Sequence, residues 1–226
     1  MESAKSAILT TALALAGMCS PAAELFNGRD LSGWTSVCDH DIAPAAAQGP
    51  TWSVVDGAIR TTGSPFGYLR TKRTDFGDFT LRLEYRWWRP SEKANSGVFV
   101  RLDAENASFI PRCYENQLWP KKVCDVCALG GATIDGQAPR NPFVATDPLS
   151  GIACVPAKAA STENPVGEWN VLEITVTGDE VSNRLNGTEL NRVKGLRTRK
   201  GAIGLQSEGG AIEFRNITVD EVRQNP

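Results

Sequence analysis

The chain has 226 residues, of which 41% are hydrophobic, and its 24 Lys and Arg residues against 26 Asp and Glu residues give a formal net charge of −2. The basic residues are spread along the chain among acidic ones, so the sequence lacks the basic cluster that a nucleic-acid partner requires. No apolar run after the N-terminal segment approaches the roughly 20 residues of a membrane helix, so we expect no membrane span.

The N-terminal segment, residues 1–23, has the pattern of a secretory signal peptide. One lysine precedes an apolar run, Ala7–Met18, and small residues follow as far as Ala23, where we place the cleavage. The residues before Cys19 are similar to a lipoprotein box, but a methionine stands where a small residue should precede the cysteine, so we expect no lipid anchor. We therefore expect a secreted or periplasmic protein.

The rest of the chain, residues 24–226, is long enough for a single domain with a real hydrophobic core, and we expect a monomer. Exported proteins with several cysteines usually form one or two disulfides, here with a thiol left over. Zinc binding is the alternative for the CxxC motif, but a second such motif is missing and His40 is the only histidine, so we expect no metal and no cofactor. The sequence does not say how these cysteines pair: Cys38, Cys113, Cys124, Cys127 and Cys154.

Short alternating or apolar runs separated by Gly, Pro, Asn and Asp predict an all-β sandwich or jelly roll. Two tight hairpins are predicted at Asp56-Gly57 and Asn186-Gly187, because both dipeptides favour the positive φ angles of two-residue turns. The ten predicted strands are Thr51–Val55, Ala58–Thr62, Tyr68–Thr71, Phe79–Trp88, Gly97–Leu102, Cys113–Leu118, Trp169–Thr177, Glu180–Leu185, Ala202–Gln206 and Ala211–Val219.

Strand alternation also predicts which side chains share a face. In the fourth of these strands, Phe79 and every second residue after it belong in a core, so Glu84 and Trp88 look onto solvent or a groove. Arg101 shares a face with Gly97 and Phe99. On the next two polar strands, alternation groups Cys113 with Glu115 and Gln117, and Gly204 with Gln206 and Glu208.

If these polar faces line one groove, they form a set of carboxylates, amides and a guanidinium suited to sugar hydroxyls. Trp88 and Trp119 are then the candidates for stacking on a sugar ring. The alternative is that the polar residues are the solvated face of a sandwich. Asp39-His40-Asp41 is similar to a metal or catalytic cluster, although a solvated loop is the simpler interpretation. With one histidine and no GxSxG motif, the available groups favour carboxylate-driven chemistry.

Several blocks of the sequence, in order, resemble the bacterial DUF1080 family, the 3-keto-disaccharide hydrolase domain. The resemblance runs from about Leu25 to Val219. The matching blocks are Glu24–Trp34, Trp52–Gly57, Asp78–Arg86, Asn95–Arg101, Tyr114–Gln117, Gly167–Asn170, Leu185–Gly187, Ile203–Gln206 and Phe214–Ile217.

The resemblance implies a concanavalin A-like jelly roll of two curved antiparallel sheets, whose concave groove binds an oxidised glycoside or disaccharide. A ketone at C3 acidifies the C2 hydrogen, so a base can remove it and expel the C1 aglycone, after which water adds. The resemblance then implies Glu115 as the base and Arg101 as the group that stabilises the enolate. The sugar would be oriented by polar groups of the same blocks, namely Asn95, Ser96, Gln117 and Gln206.

The sequence departs from the family at two places, of which one is the unusual cysteine-bearing segment Cys113–Cys127 around Glu115. At the other, many relatives carry a histidine soon after the Leu-Gln pair near the C-terminal block, where this chain has Glu208. Either Glu208 takes that role or activity is lost. Two alternatives therefore stay open, which are a lectin-like carbohydrate-binding module and conventional two-carboxylate glycoside hydrolysis.

Overall fold

The computed structural model describes residues 22–38, 50–91, 94–105, 108, 110–120, 122–147 and 149–222, with only the backbone of Cys38. The predicted leader, apart from its last two residues, and the Asp39-His40-Asp41 cluster lie outside these ranges. The described part contains fifteen strands: β1 Ala23–Glu24, β2 Trp34–Cys38, β3 Trp52–Val55, β4 Ala58–Thr61, β5 Gly67–Thr71, β6 Phe79–Trp87, β7 Gly97–Leu102, β8 Cys113–Gln117, β9 Val126–Leu129, β10 Ala153–Val155, β11 Asn170–Thr177, β12 Glu180–Leu185, β13 Thr188–Lys194, β14 Ala202–Ser207 and β15 Ile212–Glu221.

These strands form two antiparallel sheets, which confirms the predicted all-β jelly-roll sandwich. The eight-stranded sheet has the order β13-β12-β11-β6-β15-β4-β3, with β1 added beside β15, and the seven-stranded sheet has the order β10-β9-β8-β7-β14-β5-β2. Ala23 pairs with Val219 in β1, so the fold includes the residue at the predicted cleavage point. Within the described ranges, no helix has the length and apolarity needed to cross a membrane.

All ten predicted strands are present with small shifts at their ends, and both predicted hairpins are confirmed. Asp56 and Gly57 have φ angles of 50° and 76°, and Asn186 and Gly187 have 48° and 83°, as a two-residue turn with two left-handed positions requires. Five strands were not predicted, namely β1, β2, β9, β10 and β13. β9 and β10 lie in the segment after Trp119, where the sequence shows little alternation.

The main core lies between the sheets and follows the predicted alternation of β6. Phe79, Leu81 and Leu83 are fully buried there, facing residues such as Val98 and Leu205 of the seven-stranded sheet. Burying a side chain of this size contributes on the order of 1.5–3 kcal/mol, so this two-sided core holds the sheets together.

A second, smaller core covers the opposite face of the seven-stranded sheet. Its buried members are Tyr68, Phe99, Leu102, Ile110, Cys113, Cys127, Leu129 and Ala202. We call this the groove face, because its alternate strand positions carry the polar side chains described below. The disulfide Cys127–Cys154 joins β9 to β10 on this face, so the two cysteines of the CxxC motif do not bond to each other. Cys113 and Cys124 are buried free thiols.

Candidate functional site

A pocket with a volume of about 170 Å³ opens on the groove face of the seven-stranded sheet. Because a single water needs only about 10–15 Å³, this pocket can hold a ligand of several heavy atoms. The residues that line it are Asn95, Ile110, Glu115, Gln117, Trp119, Lys122, Asp125, Cys127, Leu129, Arg140, Leu149, Ile152, Cys154, Gln206 and Glu208. Six of the ten residues predicted from the sequence are therefore brought together: Asn95, Glu115, Gln117, Trp119, Gln206 and Glu208.

Glu115 lies at the floor of the pocket, in β8. It pairs with Phe99 of β7 on one side and with Cys127 of β9 on the other. Its side chain extends over β7 because Gly97 leaves room: a Cβ at Gly97 would lie 2.4 Å from Glu115 Oε1. Only 4% of Glu115 is exposed, and Oε1 has no hydrogen-bond partner among the described residues. Burial, together with the nearby charge of Glu208, raises the pKa of Glu115 to about 8. At neutral pH Glu115 is therefore mostly a protonated, hydrogen-bond-donating carboxylic acid.

Glu208 follows β14 and has different surroundings. Burial raises the pKa of Glu208 as well, but the side chains of Asn95 and Gln206 hydrogen-bond to its carboxylate and oppose that shift. Hydrogen bonds to the charged form favour ionisation. The pocket therefore contains two interacting carboxyl groups, of which Glu208 has the better-stabilised anion and Glu115 the better-retained proton.

Unpaired oxygen atoms accumulate around these carboxyl groups. Asn95 Oδ1 and Gln206 Oε1 are buried and have no partner among the described residues, as is also true of Glu115 Oε1. A buried acceptor without a partner costs roughly 1–3 kcal/mol, and these three lie in one pocket. Their common partner would be a molecule rich in O–H donors, such as a sugar.

Gln117 and Trp119 form the next part of the wall. The side-chain oxygen of Gln117 accepts hydrogen bonds from the backbone N–H groups of Leu118 and Trp119, at 3.0 Å each. This fixes the amide and directs its NH₂ group away from the backbone as a donor. The ammonium of Lys122 lies 5.1 Å from the centre of the Trp119 ring. The predicted contributions of Gln117 and Trp119 to a polar site with an aromatic surface are thus compatible with their positions.

Arg101 does not point into this pocket, contrary to the prediction from alternation. Ala202 of β14 pairs with Leu102 of β7, and Gly204 pairs with Phe99. The step is two residues in β14 but three in β7, so β7 contains one extra residue here. Arg101 lies at this point and has a φ of 51°. This β-bulge reverses the alternation, because an extra residue in one strand turns the following side chain to the other face. Arg101 is fully buried and donates to Thr198 O at 2.8 Å and to Asp78 at 3.1 Å. Asp78 immediately precedes β6 of the other sheet, so Arg101 is a structural link between the sheets.

Three further predicted residues also lie elsewhere. Ser96, the residue before β7, is fully buried and donates to Gln206 O at 2.8 Å, so its hydroxyl ties the entrance of β7 to β14 and does not line the pocket. Glu84 lies on the outer face of the eight-stranded sheet, where it accepts from Arg215 and Asn216. Trp88 follows the same strand and stacks with Arg60 and Arg89. The predictions for Glu84 and Trp88 are wrong for the same reason. Alternation shows which residues of a strand share a face, but it does not show which of the two sheets carries the groove.

Several pocket residues were not predicted as site residues. Asp125 precedes β9 and accepts from the backbone N–H of Ala157 at 2.8 Å, while Arg140 approaches Cys154 Sγ at 3.6 Å. Lys122 is the third charged one, and the remaining ones are apolar or belong to the disulfide. Apart from Ile110, all of them lie in the long, weakly periodic region between Trp119 and Glu168, which was the only sequence signal for them. Among the residues that the structure describes, no group of three or more His, Cys, Asp or Glu side chains could hold a metal ion.

Comparison with solved structures supports the fold. A candidate glycosyl hydrolase of Parabacteroides distasonis shares 19% identity over 89% of this chain and 94% of its own, with a TM-score of 0.59. The carbohydrate-binding module CBM66 of Bacillus subtilis shares 14% identity over 84% of this chain and 96% of its own, with a TM-score of 0.56. The β-glucanase of Bacillus licheniformis shares 11% identity over 89% of this chain and 98% of its own, with a TM-score of 0.51.

Such low identities show a common fold and nothing more specific. No curated protein matches the sequence significantly. The sequence model of the 3-keto-alpha-glucoside-1,2-lyase-like domain matches residues 21–220. This range spans nearly the whole described fold and all of the pocket residues, and the chain therefore belongs to the 3-keto-alpha-glucoside-1,2-lyase-like domain family.

Proposed function

We propose that this protein cleaves the glycosidic bond of 3-keto-glycosides by elimination followed by hydration. The observation that carries the proposal is the pair of carboxyl groups in one pocket, the buried Glu115 and the half-buried Glu208, held in unlike environments. Two titratable groups whose surroundings differ in this way suit an acid and a base. The family to which the chain belongs supports the choice of a 3-keto sugar as substrate.

In this mechanism Glu208 is the base that removes the C2 proton. Its anion is the better stabilised of the two, because Asn95 and Gln206 donate to it. The electrons of the C2–H bond move toward the C3 ketone and form an enolate. Collapse of the enolate forms the C1–C2 double bond and breaks the bond from C1 to the aglycone oxygen, which takes the proton held by Glu208 and leaves as the free alcohol. Water then adds its OH to C1 and a proton returns to C2.

Glu115 takes the part that the resemblance implied for Arg101. A neutral carboxyl group in a buried site can donate a hydrogen bond to the ketone oxygen and stabilise the negative charge that develops there. A pKa of about 8 keeps Glu115 protonated at neutral pH. We therefore exchange the roles drawn from the resemblance: Glu208 is the base, and Glu115 the stabilising donor.

The deciding experiment compares two substrates, a 3-keto-glucoside and its unoxidised parent, each with the purified protein. We expect aglycone release from the 3-keto-glucoside alone. Release from the parent alone would instead support two-carboxylate hydrolysis, which the presence of Glu115 and Glu208 in one pocket makes the second candidate. Sugar binding without release from either substrate would contradict both and leave a lectin-like protein.

The structural role of Arg101 gives a separate prediction. The Asp78→Ala variant should lose about 3 kcal/mol of unfolding free energy in urea titrations, because it leaves a buried guanidinium without its carboxylate. Arg101→Met should leave the KM for the 3-keto-glucoside within about twofold, since Arg101 does not line the pocket. Arg82→Ala, which removes a half-exposed pair with Glu173 at 4.0 Å, is the control and should cost less than about 1 kcal/mol. A tenfold or larger rise in KM for Arg101→Met, with stability unchanged, would restore Arg101 to the site.

A second prediction concerns the glycine below Glu115. Gly97→Ala should lower kcat by at least about tenfold, because the added methyl group occupies the space of the Glu115 carboxyl and a displacement of about 1 Å can cost 100-fold in rate. Gly136→Ala is the control, because a Cβ there meets nothing within 4 Å although its φ of 72° carries some strain. Circular dichroism and steady-state kinetics on both variants would check this. Unchanged kinetics in a folded Gly97→Ala variant would mean that the position of Glu115 does not matter for catalysis.

A further inference from the structure

The pocket has two chemically different walls. The polar wall consists of Asn95, Glu115, Gln117, Gln206 and Glu208. The other wall is mainly apolar and is formed by Ile110, Leu129, Leu149, Ile152 and the Cys127–Cys154 disulfide. Three charged side chains also line the pocket, and each has a contact within the protein: Lys122 with the Trp119 ring, Asp125 with the Ala157 N–H and Arg140 with Cys154 Sγ. Ile110 and Leu129 are 5% and 3% exposed, so this wall is continuous with the second core. The acceptors on the polar wall suit a sugar ring, but they do not account for the apolar wall opposite.

The apolar wall continues outward onto an exposed loop. Among the described residues, five large hydrophobic side chains are exposed, and three of them lie between positions 143 and 149: Phe143 at 51%, Val144 at 49% and Leu149 at 57%. Leu149 also lines the pocket. Exposed apolar side chains that cluster at the mouth of a pocket usually mark a ligand or partner surface.

Local hydrogen bonds hold this loop in place. The backbone N–H of Val144 donates to the Ser150 hydroxyl at 2.7 Å, and that hydroxyl contacts Asp147 O at 2.6 Å. The N–H of Gly151 donates to Asn141 Oδ1 at 2.9 Å. The described residues of the loop are therefore tied together by their own hydrogen bonds with Phe143, Val144 and Leu149 about half exposed, so little conformational entropy is lost when a ligand packs on them.

From these observations we propose that the protein is specific for aryl glycosides: the sugar lies against the polar wall and a flat aromatic aglycone packs against the apolar wall, with Leu149 at its outer edge. A second sugar ring in that position would place hydroxyl groups against Ile110, Leu129 and Ile152. Each hydroxyl left there without a partner costs roughly 1–3 kcal/mol, whereas an aromatic ring gains free energy from the same burial. The inference rests on the proposed function for the placement of the sugar, and it names the aglycone class.

Binding and cleavage must be measured separately, because an aryl group is also a better leaving group. The binding probes are two C-glycosides of the 3-keto sugar, one bearing a phenyl and the other a methyl group, neither of which has an exocyclic oxygen to expel. We expect isothermal titration calorimetry to show the phenyl probe binding at least about tenfold more tightly than the methyl probe. Equal affinities, or tighter binding of a matched 3-keto-disaccharide, would overturn the proposal.

Substitutions of Leu149 test whether the apolar wall causes the preference for the phenyl probe. Leu149→Ser should weaken binding of the phenyl probe about fivefold and leave the methyl probe unchanged, while Leu149→Met should restore phenyl binding. Val166→Ser is the matched control, because Val166 is 50% exposed but does not line the pocket. A phenyl preference that survives Leu149→Ser unchanged would show that the aglycone lies elsewhere. Phenyl-selective binding without any cleavage would support this inference and contradict only the proposed reaction.

Discussion

The Glu208→Gln variant should lose about 10²–10⁴-fold in kcat for 3-keto-glycoside cleavage, because a neutral amide cannot remove the C2 proton. We expect a much smaller change in KM, since Gln keeps the size of the side chain and its ability to hydrogen-bond. Asn95 and Gln206 would remain in place, so the pocket should keep its shape. Stopped assays of aglycone release over a range of substrate concentrations would separate kcat from KM.

Glu84→Gln is the matched control for this substitution. Like Glu208, Glu84 is half-buried and accepts a hydrogen bond from an amide side chain, that of Asn216. It also accepts from Arg215, but it lies on the outer face of the eight-stranded sheet. Its replacement should leave kcat within about twofold. If Glu208→Gln keeps more than about a tenth of the wild-type kcat while Glu115→Gln loses nearly all of it, the roles of the two carboxyl groups are the reverse of those proposed here.

The Glu115→Gln variant should be more stable than the wild type at alkaline pH and equally stable at acidic pH. An unfolded glutamate ionises near pH 4.5, whereas burial raises the pKa of Glu115 in the folded protein to about 8. Between these values the unfolded chain releases a proton that the folded protein retains, so the wild type loses unfolding free energy as pH rises through this window. By pH 8 the loss amounts to roughly 4 kcal/mol, or about 10 °C in Tm for a domain of this size.

Thermal unfolding of both proteins at pH 4, 6 and 8 would check this prediction. The gap in Tm should be absent at pH 4 and increase with pH, because Gln has no proton to lose. Glu163→Gln serves as the control, since Glu163 is half-buried and also has a pKa raised by burial but accepts hydrogen bonds from Tyr85 and Trp87. Removing that carboxylate should give no comparable stabilisation. A constant Tm gap for Glu115→Gln would show that the Glu115 carboxyl ionises normally.

The same proton governs the pH dependence of catalysis. If neutral Glu115 stabilises the enolate, kcat/KM should fall above about pH 8, where Glu115 ionises. Because Glu115 and Glu208 interact, the apparent pKa of this alkaline fall in kcat/KM is a property of both carboxyl groups together. In Glu115→Gln the alkaline limb should disappear, with residual activity retained because the Gln amide can still donate a hydrogen bond.

The jelly-roll fold could be predicted from the sequence because alternation is a local property. Phe79 to Trp87 alternates without interruption, and Asp56-Gly57 and Asn186-Gly187 carry their turn geometry in two residues each. β9 and β10 could not be predicted in this way, since they are short, weakly alternating, and joined by the long-range Cys127–Cys154 disulfide. Their order depends on tertiary contacts.

The site residues could be predicted where the strands are regular, and the prediction was wrong where a strand is irregular. Glu115 and Gln117 lie on the predicted face because β8 is uninterrupted, and Gln206 does so because the bulge in β7 is paired with the part of β14 before Gly204. Arg101 was assigned wrongly because a bulge gives no clear signal in the letters Val-Phe-Val-Arg. The apolar wall was missed because nothing local in Leu149 or Ile152 shows that the fold brings them opposite Glu115.

The most direct test of the proposed mechanism uses a 3-keto-glucoside that carries deuterium at C2. Elimination must break the C2–D bond, so we predict that the label is lost to solvent water during turnover and that cleavage is slower than with the unlabelled substrate. The product must be analysed at early times against a 3-keto-glucose control, because free keto sugar exchanges this position by itself. Full retention of deuterium in the sugar, at an unchanged rate, would contradict elimination and indicate direct displacement at C1 by the two carboxyl groups.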